Sequence, residues 1–449
     1  MFLEIILETI EDGKNIVLPV LAIMWRFLKL WWWLILPFVL IKPFVFFWSW
    51  WRTEHWSAEN VNMIVLEIKP PKEVLTPIKA METVFAGLWH IYDGPNPREK
   101  WLDGKVQLSM SLEMVSIGGE QHFFIRCNKG SRDLIESNIY SQYPDVEITE
   151  VEDYVKNVPQ DIPNKDWKMW GCDYELLKKD VYPIKTYDKF FERSPESSKE
   201  EKRIDPVSGL LEGMARFKPG EQLWMQIIIT PVVEGVEDDY NKRGKEEIDK
   251  IIKRPKPKVP KSMFQELAEE GVSVVVKGEI PETREEKKAD FFAPEMELTP
   301  GEREVVAAIE EKVGKYAFLT NIRFIHLGKN DVYFGGRKAI PMGFFDQLST
   351  VNLNGLKPWK RSITKLYTVW TYFLDERRIY MRKRAMFRNY IERNKPLFPK
   401  DPKESVFILN IEELASLFHF PGRMVTSAPF VSRVESKKGE APKELPVEE

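Results

Sequence analysis

From Ile16 to Trp51 the chain is almost unbroken apolar and aromatic sequence (IVLPVLAIMWRFLKLWWWLILPFVLIKPFVFFWSWW). Such a stretch cannot be a water-facing surface, because the free-energy cost of hydrating it scales with its apolar area. Its tryptophans say more. Trp25, Trp31, Trp32, Trp33, Trp48, Trp50 and Trp51, with Trp56 just beyond, place eight of the fifteen tryptophans in the first 56 residues. An indole joins an apolar body to a polar N–H and collects at the membrane–water interface. This chain is expected to sit on or through a bilayer.

Arg26 and Lys29 divide the run. The piece Ile16–Trp25 is too short for hydrocarbon about 30 Å thick, which takes roughly 20 helical residues. Leu30–Trp51 is long enough and holds one charge, Lys42 beside Pro43, which must snorkel or face a partner or a water-filled groove. Residues 1–56 therefore read as a membrane anchor: an interfacial amphipathic helix from about Phe2 to Lys29, then a spanning or deeply embedded helix. A cleaved signal peptide would have a shorter apolar region and a small-residue cleavage site. A core helix would need a partner for each of three consecutive indole N–H groups. Basic residues flank both sides, so the positive-inside rule assigns the bulk to the cytoplasmic face of an inner membrane only by a small margin.

The rest of the 449-residue chain is long enough for two or three domains. Charged residues make up 30% of it and nearly cancel, at a net of −3, so no overall field selects nucleic acid or acidic lipid. Two cysteines give no disulfide framework and fit a reducing compartment, although one disulfide stays open. Five histidines stand singly, and no metal site follows from their spacing.

Within 57–156 the periodicity predicts a ferredoxin-like β-α-β-β-α-β unit. Its strands are Val61–Ile68, Val106–Ile117 (alternating, as if half-buried), Gln121–Arg126 after a Gly118-Gly119 turn, and Val146–Val151. Its helices are Thr76–Ile91 and Ser131–Gln142, the latter capped by Ser131. Residues 157–355 carry strand, helix and strand signals at Tyr174–Thr186, Pro206–Arg216 (capped at Asp205) and Gln222–Pro231, then a charged insertion over 237–298 with a short helix or two. The pattern resumes with a helix capped at Thr299 (T-P-G-E), a strand Ala317–Leu327 and a helix Pro341–Leu348. Two readings fit: an expanded copy of the first unit, or another α/β domain with a long insertion. Over 356–425 a helix Leu366–Asn394 precedes a strand and short helix within Val406–Phe420, and 426–449 is a Lys/Glu/Pro-rich tail expected to be disordered. The fold class is α+β.

Chemistry is scarce. No phosphate-binding G-x-x-x-x-G-K-[ST], G-x-S-x-G elbow, H-E-x-x-H or dinucleotide G-x-G-x-x-G occurs, so no catalytic residue, cofactor or metal is assigned. The sharpest cluster is Arg377, Arg378, Arg382, Lys383, Arg384 and Arg388. Arg377, Arg384 and Arg388 share a helix face, with Tyr380 and Phe387 interleaved, which suits phosphate contact with occasional stacking. A solvated face, or one meeting acidic protein or lipid, fits the same spacing.

Four segments carry a resemblance: NVNMIVLEIKPPKEVLTPIKAMETVF, LEMVSIGGEQHFFIRC with SNIYSQYPDVEITEVEDY, AFLTNIRFIHLG, and FILNIEELASLFHFPG. Between Asn60 and Gly422 the chain resembles the N-terminal, membrane-associated region of bacterial coupling ATPases of type IV secretion or conjugation-like systems, relatives of the HerA/FtsK translocases. That region is a domain of unknown function in the family, and no catalytic residue carries over. Family members continue into a motor domain, whereas this sequence stops at Glu449 without a Walker motif. The resemblance implies a non-catalytic, membrane-anchored, homo-oligomeric component that tethers a translocation ATPase. The alternative is a membrane-tethered nucleic-acid-binding module using residues 377–395, with DNA as partner.

Overall fold

The computed structural model describes residues 40–71, 76–190, 205–235, 238–252, 298–365, 372–394 and 405–422, with residue 74 and scattered positions between 19 and 37. Trp32, most of the expected Phe2–Lys29 helix, most of the 237–298 insertion and the 426–449 tail lie outside these residues. The chain divides into two compact units, one formed by Met1–Val61 with Asp93–Gln107, the other by Asn62–Tyr92 with Leu108–Glu449.

The first unit is built on a helix, α1, over residues 40–60. Among the described residues no helix is long and apolar enough to cross a membrane. What α1 does show is apolar exposure: Leu40, Ile41, Phe44, Phe46, Phe47, Trp50 and Trp51 range from 48% to 66% exposed. A strap, residues 93–107, lies along it. The strap contains a π-helical turn, Glu99–Asp103, started by reciprocal bonds between Asn96 and Glu99 (2.9 and 3.0 Å) and ended by Gly104 at φ 78°. Only glycine fits there, since a Cβ would stand 2.4 Å from the Arg52 backbone. Trp48 Nε1 donates to the Trp101 carbonyl (3.0 Å), and Lys105 pairs with Asp93 (2.6 Å).

The second unit is an antiparallel α+β assembly. Its strands are β1 Met63–Lys69, β2 Met110–Ile117, β3 Glu120–Asn128, β4 Glu147–Val151, β5 Trp167–Leu176, β6 Glu221–Pro231, β7 Ala317–Lys329, β8 Leu356–Pro358 and β9 Phe407–Asn410. They form one nine-stranded sheet in the order β4-β1-β3-β2-β6-β7-β5-β8, with β9 beside β7. Helices are α2 Lys79–Trp89, α3 Arg132–Gln142, α4 Ser208–Met214, α5 Tyr240–Ile251, α6 Pro300–Val313, α7 Ala339–Gln347, α8 Asp375–Glu392 and α9 Ile411–Leu417. The expected boundary near residue 156 is not a break in the sheet: β2 pairs with β6 from Met110↔Ile229 to Ile117↔Gln222. Within 356–425 the strand and short helix expected over Val406–Phe420 are β9 and α9, and a further short strand, β8, joins the sheet as well.

Successive strand residues point to opposite faces, and here both faces are covered. Met114, Phe123, Ile125, Met225, Ile227 and Phe324 belong to the large core under α2, α3, α4, α7 and α9. Val115, Phe124, Trp224, Ile325 and Leu327 pack on the other side with Met386, Phe387 and Tyr390 of α8 and with Tyr154 and Val155. The alternation in β2, expected to put Ser111 and Glu113 in water, instead buries them both beneath α8.

Local signals fare unevenly. Gly118 and Gly119, at φ 62° and 101°, make the β2–β3 turn. Thr299 and Glu302 form a full capping box on α6, with Pro300 at its first turn. Thr299→Ala is expected to cost about 1 kcal/mol of unfolding free energy, measured by urea denaturation. Ser131 stands at the start of α3 but its hydroxyl makes no cap bond. The strand expected at Tyr174–Thr186 lies earlier, at Trp167–Leu176, because Lys178 and Asn354 draw the following residues into a loop (Lys178 N to Asn354 Oδ1, 2.8 Å). The helix expected from Leu366 is described from Asp375, after a single 3₁₀ turn Tyr372–Leu374.

Candidate functional site

The strand registers place six residues in one line across the sheet: Glu67, Phe124, Glu113, Gln226, Arg323 and Asp173. Their side chains share the face that α8 covers. Glu113 is fully buried and is satisfied from four directions. Ser111 Oγ (2.7 Å), Gln226 Nε2 (2.8 Å) and Tyr154 OH (2.8 Å) donate to it, and Arg393 grips both its oxygens (3.0 and 3.1 Å). The same guanidinium holds Asp153 (2.6 and 2.9 Å). Burial, the largest influence, pushes the Glu113 carboxyl up, but the Arg393 charge and the hydrogen bonds from Arg393, Ser111 and Gln226 together outweigh it and hold the carboxyl below the ordinary carboxylate range.

Arg393 is the residue after α8 and takes a left-handed conformation at φ 55°, the one non-glycine there among the described residues. That conformation ends the helix and turns the side chain into the sheet. Arg323 completes the clamp, bonding Asp173 (3.1 Å) while donating to the carbonyls of Asn389 (2.7 Å) and Asn394 (2.6 Å) at the helix end. Two buried cations thus meet the negative end of the α8 dipole. Phe387, expected to interleave with the arginines outside, is buried against Trp224 at 6.3 Å between ring centroids.

With its C-terminal end fixed, α8 presents its other residues to solvent. Arg377, Arg378 and Arg388 are exposed, while Arg382, Lys383 and Arg384 are half-buried. They do not form one site. Arg377, Arg378 and Arg382 surround a shallow depression with Leu374 and Met381, and Arg382 donates to the Ile363 carbonyl (3.2 Å). Lys383 and Arg384 instead line a cleft of about 670 Å³ with Tyr380, Lys165, Trp167 and Lys168, where the acids are Asp161 and Glu376.

The far wall of this cleft is a held turn. Asn164 Oδ1 accepts from the backbone N–H groups of Asp166 (2.9 Å) and Trp167 (2.8 Å), and Ile162 is buried beneath. Lys168 is exposed, and neither it nor Lys383 has an acid partner within bonding distance among the described residues. Burial, then the like charge of Lys168, pulls the Lys383 ammonium below the ordinary lysine value.

Sequence reasoning found Lys383 and Arg384 but missed Lys165, Trp167 and Lys168, which come from a turn more than 200 residues earlier. It also missed the clamp, whose members lie on four strands and on the segments around Tyr154 and Arg393. In the anchor, Trp25, Trp31, Trp33, Trp50 and Trp51 are exposed and Trp48 is half-buried. Cys127 and Cys172 are buried and unbonded. Among the described residues no group of three His, Cys, Asp or Glu side chains could hold a metal ion. No curated protein matches the sequence. A family model matches residues 53–340, well over half of the chain, and by it the protein belongs to the family described as a domain of unknown function, DUF8128.

Proposed function

We propose that this protein is a non-catalytic, membrane-tethered scaffold of a type IV secretion or conjugation-like system. It would hold a HerA/FtsK-type translocation ATPase against the inner membrane, as a homo-oligomer with its bulk on the cytoplasmic side. One observation carries the reading: the apolar side chains of α1 stay exposed over more than half of the helix circumference. The strap adds to that surface, since Trp101 and Leu102 are about half exposed (48% and 54%). Aromatic surface of this extent is stable in an interface or acyl layer and not in water.

The soluble part reads as two ferredoxin-like units joined edge to edge. The strand order 4-1-3-2 of β1–β4 recurs in reverse as β6-β7-β5-β8, with α4 and α7 in the places of α2 and α3. The doubled sheet supplies a broad rigid platform, and tethering it raises the effective concentration of any motor it binds.

In a flotation gradient the full chain is expected to rise with phosphatidylethanolamine–phosphatidylglycerol vesicles and to carry a co-expressed HerA/FtsK-type ATPase with it. Replacing Phe44, Phe47 and Trp51 by glutamate should lower vesicle binding by at least about a thousandfold, at roughly 1.5–3 kcal/mol per lost aromatic. A wild-type chain that stays at the bottom of the gradient ends the reading.

A further inference from the structure

We propose that the cleft between α8 and the turn at 161–168 binds single-stranded nucleic acid, with a phosphate held by Lys168 and Lys383 and an adjoining base against Tyr380 and Trp167. Four cations face two acids in this cleft. Lys383 is half-buried beside Lys168 without a counter-charge, an arrangement that loses free energy until an anion enters. The two aromatic side chains give the anion's neighbour a flat apolar surface, which an inorganic ion or a lipid phosphate would leave unused.

A strand fits better than a duplex, because stacking on Tyr380 and Trp167 requires an unpaired base. It also fits better than a lone nucleotide. Arg377 and Arg388 lie exposed along the same flank of α8 as Arg384 of the cleft, and the three offer cations to successive phosphates along the helix. The clamp of Arg393 and Arg323 fixes the C-terminal end of α8 before any ligand arrives, so the backbone carrying these helix cations needs no ordering at binding. The contact expected of an open basic face thus moves into a walled site.

The test is fluorescence polarisation of labelled dT15 with the full chain in detergent micelles, titrated across a salt series. Lys168→Gln/Lys383→Gln should reduce the salt slope by about 0.7, the value for one lost phosphate contact on a single strand. Tyr380→Ala should weaken binding by at least about fivefold at an unchanged thermal midpoint, because Tyr380 is 49% exposed. Unchanged affinity in both variants overturns the proposal, as does equal binding of a polyphosphate of the same charge. ATP competing as well as an unlabelled strand would also overturn it in favour of a mononucleotide. No bilayer enters the measurement, so its outcome is independent of the tether reading.

Discussion

Arg393→Met is expected to lower the unfolding free energy by about 3–5 kcal/mol. The methionine fills most of the volume, so the effect is electrostatic. It leaves the Glu113 carboxylate under α8 with only Ser111, Gln226 and Tyr154 as donors, and strips Asp153 of its guanidinium. Urea denaturation followed by tryptophan fluorescence measures the loss, since Trp224 packs beside Tyr390 at 5.3 Å. The pH dependence should change as well. In the native protein the Glu113 pKa is lowered, so its contribution is present above the unfolded carboxylate pKa and is lost as pH falls through the folded value. Without Arg393, burial outweighs the remaining hydrogen bonds, the folded pKa rises, and the Glu113 contribution should grow on acidification where in the native protein it is lost. A variant as stable as the native chain at pH 7 would show that α8 is held by its apolar face alone.

Lys312→Met should cost a similar ~3–5 kcal/mol through a second buried pair. Lys312 and Glu413 are both shielded from water, 3.0 Å apart, and Lys312 also donates to the Ile408 carbonyl (3.1 Å). Glu413 ties three segments together, accepting from the N–H groups of Ile184 (2.8 Å) and Asn410 (2.9 Å). Even with its lysine present, burial outweighs these partners and raises the Glu413 pKa. A raised carboxyl pKa gives stability that is complete below the unfolded value and is lost as pH rises through the folded one. In the single variant the Glu413 contribution should therefore be greatest below the unfolded carboxylate value and fall as pH rises through the folded one. Lys312→Met/Glu413→Gln should recover most of the loss, because a neutral pair has no charge to desolvate. Equal instability of single and double variants would assign the effect to packing.

Local chemistry was the legible part of this fold. The Thr299–Glu302 capping box, the Gly118-Gly119 turn, and the long apolar strands β6 and β7 need only neighbouring residues, and all appear where the sequence puts them. β5 was misplaced because WKMWGCDYEL has little β-branched content and both its faces are buried, so neither composition nor alternation marks it. The polar row was invisible for a different reason. Glu113, Gln226, Arg323 and Asp173 meet only when four strands fall into register, and a polar residue in an alternating strand reads as solvent-facing until a covering helix is known. In the cleft, half the cations could be seen in the arginine-rich helix. The other half, Lys165 and Lys168, gave no signal that separated them from the many other lysines of the chain.

The β2–β6 ladder also has a consequence during synthesis. At about 5–20 residues per second, the roughly 100 residues between Ile117 and Glu221 take about 5–20 s to leave the ribosome. Throughout that interval β2, whose residues Met110 to Ser116 are all buried in the finished protein, has one unpaired edge. The nascent chain thus carries an unpaired apolar strand edge until β6 emerges, an edge through which neighbouring copies on a polysome can pair.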